Sequence, residues 1–186
     1  MNRELTPSIA PEVQAQSLLQ SGEAARAIPL LQQAVRRQPD SAVHLSNLGL
    51  ALCRVKEYRR AETACRRAIA LQADYPEGWN NLGNALLGQE AFALARSAYR
   101  EALRHRRSYY HGWFNLARTE VRLENLQAAH RAIRKALRLR PESNNALRVL
   151  AEIQQGLRLW QPCMESVELL LVEKPDDIEL LVTKGS

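Results

Sequence analysis

One small-residue pattern recurs with a 34-residue period along this chain of 186 residues. The first series consists of Ala27, Ala61, Ala95 and Ala129, with Cys163 at the fifth step. The second series, seven residues further along, consists of Ala34, Ala68, Ala102 and Ala136, with Leu170 at the fifth step. The third consists of Ala15, Gly49, Gly83, Ala117 and Ala151. A fixed period of this length indicates a solenoid, in which similar units of secondary structure stack on their neighbours.

Each period contains two stretches with helical spacing of apolar residues. In the second period the stretches 44–55 and 58–71 predict two helices, with Leu45, Leu48 and Leu52 on one side of the first. Small residues at the recurring positions would let the paired helices approach closely, because the distance between helix axes depends on the side chains at the contact. Proline, which cannot continue a helix, closes three periods. These prolines are Pro39, Pro141 and Pro175. The pattern therefore predicts an all-α fold of antiparallel helix pairs.

The ends of the helices also leave signals in the sequence. Ser41 and Asn144 are candidate N-caps for the helices that follow them. Gly22 lies between the two helices of the first period, where a turn needs a permissive backbone. Larger residues take its place in the later periods, so we expect the turns there not to require a positive φ. Those residues are Lys56, Glu90, Glu124 and Arg158.

Other positions in the period identify a family resemblance. Trp79 and Trp113 lie one period apart, and the pairs Leu48-Gly49 and Leu82-Gly83 follow the same step. Together with the closing prolines, these residues resemble the tetratricopeptide repeat (TPR) family across residues 8–177. The resemblance implies an all-α, right-handed superhelical solenoid. It implies five TPR units at 8–41, 42–75, 76–109, 110–143 and 144–177, a disordered lead at 1–7, and a partial sixth unit or terminal helix at 178–186.

In TPR proteins the first helix of each unit lines a concave groove, which is the usual binding face. The resemblance places in this groove Asn47, Asn80, Asn81, Asn84, Phe114, Asn115, Arg118, Arg122 and Arg148. Asn47, Asn81 and Asn115 form a ladder at the 34-residue step. An exposed asparagine offers a donor and an acceptor, so the ladder could bind the backbone of an extended peptide. The ladder also resembles, more weakly, the TPR arm of O-linked N-acetylglucosamine transferases, where such asparagines hold substrate peptides. Helix packing is the alternative role for these asparagines.

Charge suggests the chemistry of the partner. The net charge is +6, and Arg118, Arg122 and Arg148 fall near the groove in the fourth and fifth units. Arginines make charge-assisted hydrogen bonds, so this half of the groove would favour acidic or phosphorylated ligands. Nucleic acid is disfavoured as a partner. The remaining arginines are dispersed around second helices with glutamates between them, and no RNA-binding motif is present.

No set of residues in the sequence indicates catalysis. Three cysteines are present, without the spacing of a metal or redox site, and no nucleophile–base set or phosphate loop occurs. We therefore expect no enzymatic activity and no cofactor or metal. No stretch of about 18–20 apolar residues predicts a membrane span, and the N-terminus lacks the apolar region of a signal peptide. These features predict a cytoplasmic protein.

Three hypotheses for function remain open from the sequence. The first is a non-catalytic adaptor or scaffold that binds an extended or helical peptide segment in its groove. The second is the substrate-recruiting TPR arm of a larger enzyme, such as a glycosyltransferase, whose catalytic domain is absent from this chain. The third adds self-association through the apolar C-terminal end around Leu180 and Leu181.

Overall fold

A computed structural model of the chain describes residues 10–173, and these residues form ten α-helices and no β-strand. The helices are α1 (Pro11–Gln20), α2 (Ala24–Arg37), α3 (Ala42–Arg54), α4 (Tyr58–Leu71), α5 (Pro76–Gly88), α6 (Phe92–His105), α7 (Tyr110–Arg122), α8 (Leu126–Leu139), α9 (Asn144–Gly156) and α10 (Trp160–Glu173). The predicted lead at 1–7, the start of a sixth unit at 178–186 and the predicted self-association through Leu180 and Leu181 lie outside the described residues.

The chain divides into two compact units, Met1–Ala98 and Tyr99–Ser186, and the boundary between them falls inside α6. In the first unit α1 packs on α2, α3 packs on α4, and the first helices α3 and α5 lie against each other. In the second unit α7 packs on α8, and α9 packs on α10. The predicted all-α fold of helix pairs is confirmed for the described residues. The odd-numbered helices are called first helices below, and the even-numbered ones second helices.

The recurring small residues form the contacts between paired helices. All four alanines of the first series are fully buried, as are those of the second series and Ala15 and Ala117 of the third. Gly49 shows why the position must stay small. A Cβ atom built there would overlap the sulfur of Cys65 and lie 3.3 Å from the carbonyl oxygen of Ala61. Because the helices meet almost backbone to backbone, the sequence period marks the core directly.

The turns between paired helices contradict the expectation that only Gly22 would need a positive φ. Gly22 has a φ of 85°, but Lys56, Glu90, Glu124 and Arg158 have φ values of 64°, 60°, 59° and 57°. Each turn closes in the same way. In the second repeat, the N–H of Glu57 donates to the carbonyl of Leu52 at 2.9 Å, and the N–H of Lys56 donates to that of Cys53 at 3.0 Å. This Schellman closure places its C′ residue in the left-handed region whatever the side chain.

Helix starts follow the sequence in part. Ser41 caps α3, and its hydroxyl accepts a hydrogen bond from the N–H of His44 at 3.3 Å, as predicted. The predicted cap Asn144 is wrong. Ser143 caps α9 by accepting from the N–H of Ala146 at 3.3 Å, and Asn144 is the first helical residue. A serine hydroxyl on an extended residue reaches the free N–H three residues ahead, so the cap falls one residue earlier than predicted.

The two tryptophans of the repeat make equivalent hydrogen bonds. The indole N–H of Trp79 donates to the carbonyl of Ala73 at 2.7 Å, and that of Trp113 donates to the carbonyl of Arg107 at 2.8 Å. Each bond ties the start of a first helix to the loop that precedes it. The other repeats carry no tryptophan at this position, so this bond is specific to the third and fourth repeats.

Candidate functional site

Two of the predicted groove asparagines are buried. Asn80 is 5% exposed and Asn81 is 6% exposed. The side-chain amide of Asn81 donates to the backbone carbonyl of Ser46 at 3.2 Å and to the Ser46 hydroxyl at 3.0 Å. The expectation of exposed side chains is therefore wrong for these two residues. The physical reason for Asn81 is that α3 and α5 lie side by side, and its side chain faces Ser46 of α3. Asn81 therefore has the alternative role that the sequence left open, which is helix packing.

The remaining predicted residues of the first unit, Asn47 and Asn84, are not fully buried. Val43, Asn47 and Leu50 follow one another at helical spacing on α3. Val43 is 48% exposed, while Asn47 and Leu50 are half-buried, and Leu50 also packs against the buried cluster that contains Leu19. Asn84 is half-buried on α5. These four residues are called the first-helix face below. They combine two amide groups with two apolar side chains.

The second unit contains the other predicted site residues. Phe114 and Asn115 are half-buried on α7, whereas Arg118 and Arg122 are exposed. Phe114, Arg118 and Arg122 share one face of α7, because they are spaced by four residues. Arg148 is half-buried on α9. It lines a cavity of about 440 Å³ together with Ser143, Asn144, Asn145 and Leu170.

Beside these residues lies a stack of arginine and aromatic side chains. The rings of Tyr110 and Phe114 are nearly parallel, at 14°, with centroids 5.9 Å apart. The guanidinium carbon of Arg140 lies 4.5 Å from the centroid of Tyr110, and that of Arg118 lies 5.9 Å from the centroid of Phe114. The Tyr110 hydroxyl shares a hydrogen bond with the hydroxyl of Ser143, with 2.6 Å between the oxygens. Arg140, Tyr110, Phe114 and Arg118 are called the arginine–aromatic stack below.

Sequence reasoning identified two members of this stack and missed the other two. Tyr110 occupies a position where no other repeat has a tyrosine, and Arg140 has an equivalent arginine in Arg106 one period earlier, but neither belongs to the asparagine ladder on which the site prediction was based. One signal was available. Tyr110, Phe114 and Arg118 are spaced by four residues on α7, which places their side chains along one helix face. No local pattern indicates Arg140, which follows the last residue of α8.

The titratable groups in the described part of the chain are shifted mainly by burial. Desolvation, helped by the positive charge of Arg140, lowers the pKa of His111 beside the stack. Burial raises the pKa of the Cys53 thiol to about 12 and also raises that of Cys65. Both thiols are therefore protonated at neutral pH, and the reactive species of cysteine is the thiolate.

Within residues 10–173 no three histidine, cysteine or acidic side chains gather as metal ligands would. None of the described helices is long and apolar enough to span a membrane.

The repeat pattern agrees with a family model. The tetratricopeptide repeat model matches residues 13–76, 47–111 and 114–155, which together cover most of the chain. The chain belongs to the tetratricopeptide repeat family. The TPR fold is in general a scaffold for interactions between proteins, because its stacked helices present extended binding surfaces. No curated protein sequence matches the chain.

Solved TPR structures resemble this TPR protein in fold. TTC0263, a thermophilic TPR protein of Thermus thermophilus, is 18% identical with a TM-score of 0.78, and the match covers 94% of this chain and 95% of that one. PilF of Pseudomonas aeruginosa is 21% identical with a TM-score of 0.81, over 94% of this chain and 81% of that one. YrrB, described as a TPR protein with an unusual peptide-binding site, is 17% identical with a TM-score of 0.73, over 83% of this chain and 80% of that one.

Proposed function

We propose that this TPR protein is a non-catalytic interaction scaffold that holds an extended or helical peptide segment of a partner protein against its first helices. The observation that carries the proposal is the first-helix face of α3 and α5. There Asn47 and Asn84 are not fully buried and share the two helices with Val43 and Leu50, whereas the small residues of the repeat are packed into the core. Side-chain amides can bind a peptide backbone, and the apolar side chains can contact the side chains of the peptide.

The packing beneath this face supports recognition by a rigid surface. The two hydrogen bonds from Asn81 to Ser46 join α5 to α3 and hold the two helices in register. A surface ordered before binding loses less conformational entropy when the partner arrives. The buried asparagine thus supports the site, while Asn47 and Asn84 are the residues we propose to touch the peptide. The unusual peptide-binding site attributed to YrrB makes peptide binding a reasonable role for a chain of similar fold.

The experiment begins with affinity capture from a lysate of the source cells and identification of the captured protein by mass spectrometry. The affinity of the purified partner is then measured for the wild type and for the double variant Asn47→Ala/Asn84→Ala. The matched control is Thr63→Ala/Ser97→Ala, which truncates two exposed polar side chains on second helices of the same unit. We expect Asn47→Ala/Asn84→Ala to bind the partner about tenfold more weakly than the wild type, because one or two hydrogen bonds are lost. The control should bind with an affinity within about twofold of the wild type. Equal affinity of both variants for the partner would contradict the proposal.

The predicted cytoplasmic location and the absence of catalysis stay predictions. Fractionation of source cells with an antibody against the chain tests the location. A chain that partitions with another compartment would contradict it.

A further inference from the structure

The arginine–aromatic stack lies entirely in the second unit and is held in place from several sides. Tyr110 and Phe114 stack on each other, and each ring has one guanidinium group against it. The Ser143 hydroxyl fixes the Tyr110 hydroxyl at 2.6 Å. Within residues 10–173, the contacts of the Arg118 and Arg140 guanidinium groups are with these rings, and neither group pairs with a carboxylate. Two exposed cations are therefore oriented without an internal counter-ion.

The ring contacts leave the hydrogen-bond donors of each guanidinium group available. A guanidinium group is planar and carries five N–H donors around its edge. A cation–π contact with an aromatic ring uses none of these donors in a hydrogen bond, so they can bind a carboxylate with two parallel hydrogen bonds. The ring contact also restricts a side chain that otherwise has many rotamers, so less entropy is lost on binding.

The surroundings of the stack are strongly basic. Residues 110–140 contain seven arginine or lysine residues and only two glutamates. One of these, Glu120, is 2% exposed and is paired with Arg100 at 3.1 Å, so it does not face a ligand. Clustered charge of one sign raises the local concentration of ligands of the opposite sign. Exposed acidic residues are present at Glu124 and, two residues after Arg140, at Glu142, but the basic residues of this stretch outnumber them.

We propose that Arg118 and Arg140 bind two carboxylate side chains of an acidic peptide segment in the partner protein. The proposal rests on the proposed function and names the chemistry of its partner. It also assigns Tyr110 and Phe114 the role of positioning the two guanidinium groups. A nucleic acid fits less well. Bases bind proteins by stacking on exposed aromatic faces, and here each ring already has a guanidinium group and a second ring against it.

The test uses fluorescence anisotropy with the full chain and a short fluorescein-labelled peptide of alternating glutamate and alanine. A second peptide carries glutamine in place of every glutamate. The variant Arg118→Gln/Arg140→Gln removes both cations of the stack. The matched control Arg131→Gln/Arg134→Gln makes the same change of charge at two exposed positions on α8. Thermal unfolding followed by circular dichroism confirms that each variant is folded.

We expect the glutamate peptide to bind the wild type at least about tenfold more tightly than the glutamine peptide. The stack variant should lose about tenfold or more in affinity, and the control should lose less than about threefold. Arg118→Lys/Arg140→Lys keeps the charge but not the planar edge, so its affinity should fall between those of the wild type and the glutamine variant.

Three results would overturn the proposal. Equal losses in the stack variant and the control would show non-specific attraction, and equal binding of the two peptides would exclude carboxylate recognition. Tighter binding of oligouridylate RNA than of the glutamate peptide, lost in the same stack variant, would assign the stack to nucleic acid. None of these results affects the test of Asn47 and Asn84 with the captured partner. The proposed function is therefore tested independently of this proposal.

Discussion

Replacing Asn81 by alanine should destabilise the fold rather than act only on binding. The change removes two buried hydrogen bonds, to the carbonyl and the hydroxyl of Ser46 at 3.2 and 3.0 Å. A neutral hydrogen bond contributes about 0.5–1.5 kcal/mol net, and the Ser46 hydroxyl, fully buried, would lose its bond to the amide. The carbonyl of Ser46 belongs to α3 and keeps its place in the helix. We therefore expect the loss of the two bonds to lower the free energy of unfolding by about 2 kcal/mol.

The assay is urea denaturation followed by circular dichroism and by tryptophan fluorescence. Agreement between the two probes is needed first, since cooperativity can break down in repeat arrays. Asn47→Ala is the matched control, because this asparagine is half-buried on the neighbouring first helix. It should change the free energy of unfolding by less than about 0.5 kcal/mol, because Asn47 does not make the two buried hydrogen bonds that Asn81 makes to Ser46.

A double-mutant cycle with Ser46→Ala isolates the bond between the two side chains. We expect a coupling energy of about 1 kcal/mol, because the cycle removes the bond to the hydroxyl and leaves the bond to the backbone carbonyl. The assignment of Asn81 to helix packing would be refuted if Asn81→Ala lowered the free energy of unfolding by less than about 0.5 kcal/mol, or if the coupling energy were near zero.

Three further predictions concern the core and the stack. Arg100→Ala should lower the free energy of unfolding by about 1–2 kcal/mol in urea denaturation, because the buried carboxylate of Glu120 loses a charged hydrogen-bond donor; an unchanged free energy of unfolding would contradict this. Gly49→Ala should lower the free energy of unfolding by about 1–3 kcal/mol, since the added Cβ would overlap the Cys65 sulfur, and an unchanged urea midpoint would contradict this prediction. His111 should titrate by NMR with a pKa below that of a histidine in an unfolded chain. Because the folded-state pKa is lowered, its contribution to stability is present above the unfolded pKa and is lost as the pH falls through the folded one; a raised pKa would contradict this.

Much of the fold was predictable because a repeat is a local property of the chain. The helices of the second repeat, predicted at 44–55 and 58–71, are found at Ala42–Arg54 and Tyr58–Leu71. The small residues at the 34-residue step are buried where helices meet. The cap at Ser41 was also predictable, because it depends on residues within one turn of the helix. Period, residue size and capping chemistry therefore establish the helix pairs from the sequence alone.

The candidate site depends on contacts between residues that are distant in the sequence. Asn47 and Asn81 occupy equivalent positions in the repeat, yet only Asn81 is buried and bonded to Ser46. The packing of each helix against its neighbour decides which asparagine is left for a ligand. Tyr110 begins α7 and Arg140 follows the end of α8, so the whole helix pair separates them along the chain, and no periodic signal marks their contact.

The turns show the same division between sequence and structure. The sequence by itself places a turn between each pair of helices, but residue type suggested a positive φ only at Gly22. The tertiary structure imposes the left-handed conformation at Lys56 and its equivalents, because the helix must end in a Schellman closure for the next helix to pack back on it. Local pattern thus determined which helices form, and long-range packing decided the conformation of the turns and which side chains remain exposed for binding.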